Sequence, residues 1–149
     1  MECDKELYQW DDYFMDIAEL TAKRSDVPGR NHPDDNKAGV VIVQDKRTIS
    51  QGYNGYPAGF PNWRVAGRDK FKEVHAEANA IAWAARRGIS TEGATLYTTM
   101  VPCIECAKLI IQAGIKQVYT LDKTATAEDF PPGLALLEEA NVRVFRYHK

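Results

Sequence analysis

The apolar residues of the chain recur with two different periods, and these periods predict where helices and strands lie. In residues 10–24 they recur every three or four positions, as on a helix with one apolar stripe. Residues 40–43 and 49–53 are short runs of apolar or β-branched residues around a polar segment, which predict a two-stranded hairpin. Further along, helical segments at 75–87, 102–113 and 133–140 alternate with strand segments at 95–99, 117–121 and 142–145.

The alternation of helices and strands after residue 75 predicts the fold class. Strands that are joined by helices run parallel, and the helices cover both faces of their sheet. With the hairpin added, the expected architecture is an α/β fold, a three-layer α/β/α sandwich around a five-stranded mixed sheet. The 149 residues suffice for one hydrophobic core, so we expect a single domain over residues 1–149. Residues 25–36 and 55–67 are predicted loops, and the aromatic side chains of the second indicate an ordered cover.

Composition and charge narrow the class of protein further. Apolar residues make up 44% of the chain and charged residues 27%, which is typical of a globular protein and not of a disordered one. The net charge of −2 gives no basic surface for a nucleic acid, although a small anionic ligand needs only a local basic pocket. No apolar run approaches the length of a membrane span, and the first residues lack a signal-peptide pattern. We therefore expect a cytoplasmic protein that binds neither nucleic acid nor membranes.

Two short motifs carry the chemistry, and each opens a predicted helix. His75 and Glu77 belong to an H-x-E motif, and Cys103 and Cys106 belong to a P-C-x-x-C motif. The two cysteines are three positions apart on one side of a helix, so both sulfurs can bind one ion, with His75 as the third ligand. Three protein ligands leave a position for water, which Zn²⁺ acidifies. This combination is a known signature of zinc deaminases, in which the glutamate is the general acid and base. We therefore predict one catalytic zinc per subunit, with Glu77 as the catalytic residue.

Other interpretations of these motifs are weaker. A structural zinc site normally closes with a fourth protein ligand, and no further Cys or His lies near the motifs in sequence. A redox C-x-x-C pair is a weaker interpretation still. A non-enzymatic module that keeps the fold would show a damaged signature, and this signature is intact. The sequence therefore favours a catalytic site.

The chain resembles the deoxycytidylate deaminase family, within the cytidine deaminase superfamily, over nearly its whole length. The resemblance rests on the first helix from Trp10 and on the motifs at residues 52–57 (GYNGYP), 75–81 (HAEANAI) and 102–108 (PCIECAK). It implies hydrolytic deamination of dCMP to dUMP, a step in the supply of dTTP precursors. The alternatives are a deaminase of dCTP or of another free cytosine nucleotide or nucleoside, and a tRNA adenosine deaminase.

The resemblance also implies substrate contacts. Asn54 should bind the sugar of the nucleotide, and the backbone at Ala76 and at residues 100–101 should contact the edge of the pyrimidine. For Asn54 the alternative is a plain turn residue, because Asn-Gly is by itself a strong turn signal. The acidic pI and the 21 positions between Asn54 and His75, long enough for a lid, argue against the tRNA-acting alternative.

Phosphate recognition is where the chain departs from the family pattern. Arg24 matches the phosphate-facing arginine of the family, and Arg86 falls on the helix that follows the H-x-E motif. Residues 26–39 are lengthened and altered relative to the family, and Lys37 is a candidate replacement contact for the anion. The alternative for each of these cations is an ordinary surface residue.

The resemblance extends to assembly and regulation. A homo-oligomer is expected, either a hexamer or a dimer. Family members respond to dCTP and dTTP, so these nucleotides are candidate effectors, and Mg²⁺ would accompany such a nucleotide.

Overall fold

The structure is a computed structural model that describes residues 8–27, 36–62, 69, 71–121 and 131–147. Helices and strands alternate along these residues as the apolar periods predict. The elements are α1 (Trp10–Ala22), β1 (Gly39–Gln44), β2 (Arg47–Tyr53), α2 (Ala76–Arg86), β3 (Thr95–Thr98), α3 (Ile104–Gln112), β4 (Gln117–Leu121), α4 (Pro132–Glu139) and β5 (Arg143–Tyr147).

The five strands form one mixed sheet in the order β2-β1-β3-β4-β5. Strand β1 is antiparallel to both β2 and β3, whereas β3, β4 and β5 run parallel. The antiparallel pair comes from the predicted hairpin, and the parallel strands come from the helix-linked second half of the chain. The predicted five-stranded mixed sheet is therefore confirmed.

Helices cover both faces of the sheet, which confirms the three-layer sandwich. Alternate residues of β1 separate the two cores, because successive side chains of a strand point to opposite faces. Val40 and Ile42 pack with α2, α3 and α4 on one face, while Val41 and Val43 pack with α1 on the other.

Several predicted boundaries are displaced by local capping. The first helix ends at Ala22 and not at residue 24, with Lys23 as its C-cap. Helix α3 begins at Ile104 and not at Pro102, because Cys103 is its N-cap and its sulfur accepts a hydrogen bond from the Cys106 N–H at 3.4 Å.

Two glycines allow close contact between the backbones of neighbouring segments. A Cβ atom at Gly52 on β2 would lie 2.6 Å from the Ala80 nitrogen and 2.7 Å from the Ala76 oxygen of α2. A Cβ atom at Gly133 on α4 would collide with the backbone carbonyl of Pro102. Larger side chains at these positions would move the segments that carry the two chemical motifs. None of the described helices has the length and apolar character of a membrane span.

Candidate functional site

The H-x-E and P-C-x-x-C motifs meet at the N-termini of two helices. His75 is the N-cap of α2 and Cys103 is the N-cap of α3. The His75 Nδ1 atom lies 3.5 Å from the Cys103 sulfur and 3.4 Å from the Cys106 sulfur. The ligand atoms of all three residues lie within 4.8 Å of one another. The structure thus brings together the three residues that the sequence predicts as zinc ligands.

The donor set fits a zinc ion by its chemistry. One imidazole nitrogen and two thiol sulfurs are ligands that Zn²⁺ prefers. Burial raises the pKa of the Cys106 thiol, and the nearby Glu77 carboxylate raises it further. A thiolate at this position therefore needs a cation beside it. His75 and Cys103 are exposed towards a pocket, so the cluster has an accessible side where water and substrate can approach.

Glu77 lies in the first turn of α2, two residues after His75, and is buried with only 5% of its surface exposed. Its Oε1 atom accepts a hydrogen bond from the Thr98 hydroxyl at 3.2 Å. Thr98 is the last residue of β3, so it connects the carboxylate to the central strand of the sheet. A buried carboxylate that faces both the cluster and the pocket has the position that a proton carrier requires.

The Asn54 side chain is held by three hydrogen bonds at the other side of the pocket. Its Oδ1 accepts from the Ala38 N–H at 2.8 Å. Its Nδ2 donates to the Asn36 carbonyl at 2.7 Å and to Glu73 Oε1 at 2.9 Å. Both amide protons are therefore used within the protein. The groups left for a ligand are acceptors, namely the second lone pair of Asn54 Oδ1 and the Glu73 carboxylate.

A short backbone bridge brings the Asn54 and His75 sides together. Gly55 and Val74 form an isolated antiparallel bridge, in which Val74 N–H donates to Gly55 at 2.7 Å and Gly55 N–H donates to Val74 at 3.1 Å. Asn54 precedes one end of the bridge, and Glu73 and His75 flank the other end. The bridge therefore fixes the two halves of the site relative to each other.

The pocket between these groups has a volume of about 410 Å³, within the range of small-molecule sites. Its lining comprises residues from both motifs, from the start of β1 and from the segment after β3: Val27, Asn36, Ala38, Asn54, Glu73, His75, Ala76, Glu77, Met100, Val101 and Cys103. Asn54, Ala76 and residues 100–101, named from the sequence as substrate contacts, all lie in this wall.

The three cations predicted to contact substrate are not among the lining residues. Arg86 is the last residue of α2, about three turns from the pocket, and its guanidinium stacks on Trp83 at 5.5 Å from the ring centre. Arg24 is exposed just after α1, three residues before Val27 of the pocket wall. Lys37 is half-buried between Asn36 and Ala38, which both line the pocket.

The structure adds two residues that sequence reasoning missed. Glu73 lies in the pocket wall and Thr98 contacts Glu77. The one sequence signal for Glu73 is its position two residues before His75.

Of the predicted cover at 55–67, residues 63–67 lie outside the described part of the chain, and Phe60 is exposed.

Comparison with known proteins agrees with this geometry. The chain is 40% identical to a probable deoxycytidylate deaminase of Drosophila melanogaster, in a match that covers 96% of this chain and 74% of that protein. It is also 40% identical over 147 residues to ComE operon protein 2 of Bacillus subtilis, which covers 93% of this chain and 71% of that protein.

A solved structure is similar to this chain in both fold and sequence. The dCMP deaminase from cyanophage S-TIM5 in complex with dCMP and dUMP matches with a TM-score of 0.75 at 29% identity, over 91% of this chain and 95% of that one. The sequence profile described as "Cytidine and deoxycytidylate deaminase zinc-binding region" matches residues 8–122. By this match and these identities, the chain belongs to the cytidine and deoxycytidylate deaminase family.

Proposed function

We propose that this protein is a zinc-dependent hydrolase that converts dCMP and water to dUMP and ammonia. The observation that carries the proposal is the buried Glu77 carboxylate beside the His75, Cys103 and Cys106 cluster, at the wall of a nucleotide-sized pocket. The similarity to deoxycytidylate deaminases supports dCMP as the substrate.

The chain's own residues account for the proton transfers of this reaction. His75, Cys103 and Cys106 would hold the zinc ion, which supplies the acidification of a water molecule. Glu77 accepts a proton from the attacking water and delivers it to the ring nitrogen beside the reacting carbon. It then passes the second proton of the water to the amine, so that the carbon gains oxygen and ammonia leaves.

The opposite side of the pocket is suited to the sugar. Asn54 Oδ1 and the Glu73 carboxylate offer acceptors to a sugar hydroxyl, because the amide protons of Asn54 already have partners. A hydroxyl that donates to a carboxylate forms a charge-assisted hydrogen bond. We assign these two residues to sugar binding on this basis.

Arg24 and Lys37 are the proposed phosphate contacts. Lys37 lies between two pocket-lining residues, Asn36 and Ala38, and Arg24 lies three residues before a third, Val27. A phosphate paired with such cations forms hydrogen bonds that a nucleoside cannot replace.

A substrate panel tests the proposal. Deamination of dCMP, dCTP, CMP, deoxycytidine and a tRNA anticodon stem is followed by absorbance, with the zinc content of the same protein measured by elemental analysis. We expect about one zinc per chain. We also expect dCMP to exceed deoxycytidine by roughly a hundredfold or more in kcat/KM. Equal rates for dCMP and deoxycytidine would exclude phosphate recognition, and activity on the tRNA stem alone would identify the other class of deaminase.

We propose a homo-oligomer, a hexamer or a dimer, on the family resemblance and on the apolar side chains exposed along α3 and near its start. Met100, Ile104 and Leu109 each expose about two fifths or more of their surface. Light scattering at micromolar concentration that shows a monomer would exclude the homo-oligomer.

Regulation by dCTP and dTTP, with Mg²⁺ bound to the triphosphate, is proposed from the family resemblance. Sigmoidal kinetics relieved by dCTP would support this regulation.

A further inference from the structure

We propose that Thr98 is a positioning residue, whose hydroxyl holds the Glu77 carboxylate in its working orientation. This inference rests on the proposed function, because it assigns Glu77 to the proton transfers. Thr98 ends β3, the central strand of the sheet, and is fully buried. Its Oγ1 lies 3.2 Å from Glu77 Oε1. Glutamate has several rotatable bonds, so a donor on the rigid central strand restricts where the carboxylate can point.

The same hydroxyl has a second partner, which lets it serve Glu77 with and without a proton. The Met100 carbonyl oxygen accepts from Thr98 Oγ1 at 2.9 Å, and the Met100 N–H donates to Oγ1 at 3.3 Å. A threonine hydroxyl has one proton to donate and two lone pairs. It can donate to the Glu77 carboxylate, or it can donate to the Met100 carbonyl and accept a hydrogen bond from a protonated Glu77 carboxyl. Glu77 thus keeps one position throughout the reaction.

A neighbouring threonine provides a matched comparison. Thr120 on β4 is the register partner of Thr98 in the parallel pair, and it is equally buried on the same face of the sheet. Its hydroxyl has no hydrogen-bond partner among the described residues. The two side chains therefore share residue type, depth and layer, and they differ in the hydrogen bonds that Thr98 forms with Glu77 and Met100.

Three variants test the role of the hydroxyl. Thr98→Val keeps the shape of the side chain and removes the donor, so we expect kcat for dCMP to fall about 10–100-fold with KM within about threefold. Thr98→Ser restores the hydroxyl and should keep kcat within about threefold of wild type. Thr120→Val should leave kcat unchanged. Zinc content is measured for each protein and should stay at about one per chain.

The outcomes that would overturn the inference are distinct. Wild-type kcat in Thr98→Val, or a loss in Thr98→Ser equal to that in Thr98→Val, would show that the hydroxyl does not act on Glu77. Loss of both zinc and activity in Thr98→Val would show that Thr98 holds the backbone segment that leads to Cys103, and not the Glu77 carboxylate. If Thr98→Val does not fold, a large kcat loss in Thr98→Ser alone overturns the proposal, and wild-type-like kcat in Thr98→Ser supports it.

A stability cycle separates this inference from the proposed function, because it needs no turnover. Melting temperatures are measured for Thr98→Val, Glu77→Ala and the double variant. Coupled side chains give a double-variant shift that differs from the sum of the single shifts, here by about 2–4 °C. Additive shifts would overturn the contact, whereas an inactive wild-type protein with coupled shifts would refute the proposed reaction and leave the contact standing.

Discussion

The two faces of the sheet are built from different side chains, and strand β3 contributes to both. On the face covered by α2, α3 and α4, small residues such as Ala76 and Ala80 let the helix backbones approach, and Thr98 reaches Glu77. On the face covered by α1, Tyr97 stacks on Tyr119 at 4.8 Å.

The aromatic stack continues across the sheet on the α1 face. Tyr119 stacks in turn on Phe145 at 4.6 Å between ring centres. The Tyr97 hydroxyl donates to Asp11 Oδ1 at 2.6 Å, which ties the stack to α1. The comparison teaches that adjacent residues of one strand have different partners: Thr98 contacts Glu77 on one face, and Tyr97 contacts Asp11 and Tyr119 on the other.

The largest effect should follow from a change at Glu77, on the face of the sheet that α2, α3 and α4 cover. Glu77→Ala is expected to keep the fold and the zinc but to lower kcat by about 10²–10⁴-fold, because it removes the proposed proton carrier. Steady-state kinetics with dCMP and elemental analysis measure the two quantities. Near-normal turnover in this variant would remove Glu77 from the mechanism.

A change at the pocket wall should affect stability as well as binding. Asn54→Ala removes the hydrogen bonds that the Asn54 side chain forms with the Ala38 N–H and the Asn36 carbonyl, so we expect a loss of about 2–4 kcal/mol in the free energy of unfolding. Urea denaturation measures this loss. Glu73→Gln is the control, since its amide oxygen still accepts from Asn54, and it should cost less than about 1 kcal/mol. A stable Asn54→Ala protein would show that these bonds do not hold the site.

The smallest effect should come from the aromatic face. Tyr97→Phe removes the hydrogen bond to Asp11 and should lower the free energy of unfolding by about 1 kcal/mol without changing kcat. A change in kcat would contradict the separation of the two faces.

The stability that Tyr97 contributes should also depend on pH. Burial raises the pKa of Tyr97, and the hydrogen bond to Asp11 raises it further. The folded protein therefore holds this proton more tightly than the unfolded chain does. The contribution is fully present below a pH of about 10, the ordinary tyrosine value, and decreases as the pH rises above it. Urea denaturation at pH about 8 and about 11 should show the difference between wild type and Tyr97→Phe shrinking at the higher pH; an unchanged difference would contradict this.

The sequence was sufficient to predict the elements and the clustering of His75, Cys103 and Cys106, because both depend on local spacing. The alternation of apolar periods predicts the parallel strands β3, β4 and β5, which the register confirms. The separation of Cys103 and Cys106 fixes both sulfurs on one side of a helix start wherever that helix packs. His75 joins them because it stands at the start of another helix.

Contacts across the sheet could not be predicted in the same way. Glu73 meets Asn54 because of the Gly55–Val74 bridge, which has no pattern of its own in the sequence. Thr98 reads as an ordinary strand residue until α2 is placed beside it. Arg86 appeared close to the site because it follows His75 in sequence, but the rise of the helix carries it to the far end.

The Gly55–Val74 bridge has a consequence for how such a protein can diversify. Because its two hydrogen bonds join the ends of residues 56–73, the length of that stretch is uncoupled from the distance between Asn54 and His75. Doubling a loop of this kind costs only about 0.6 kcal/mol in closure entropy. Insertions and deletions in this stretch can therefore accumulate while the bridge keeps Asn54 and His75 at the same separation.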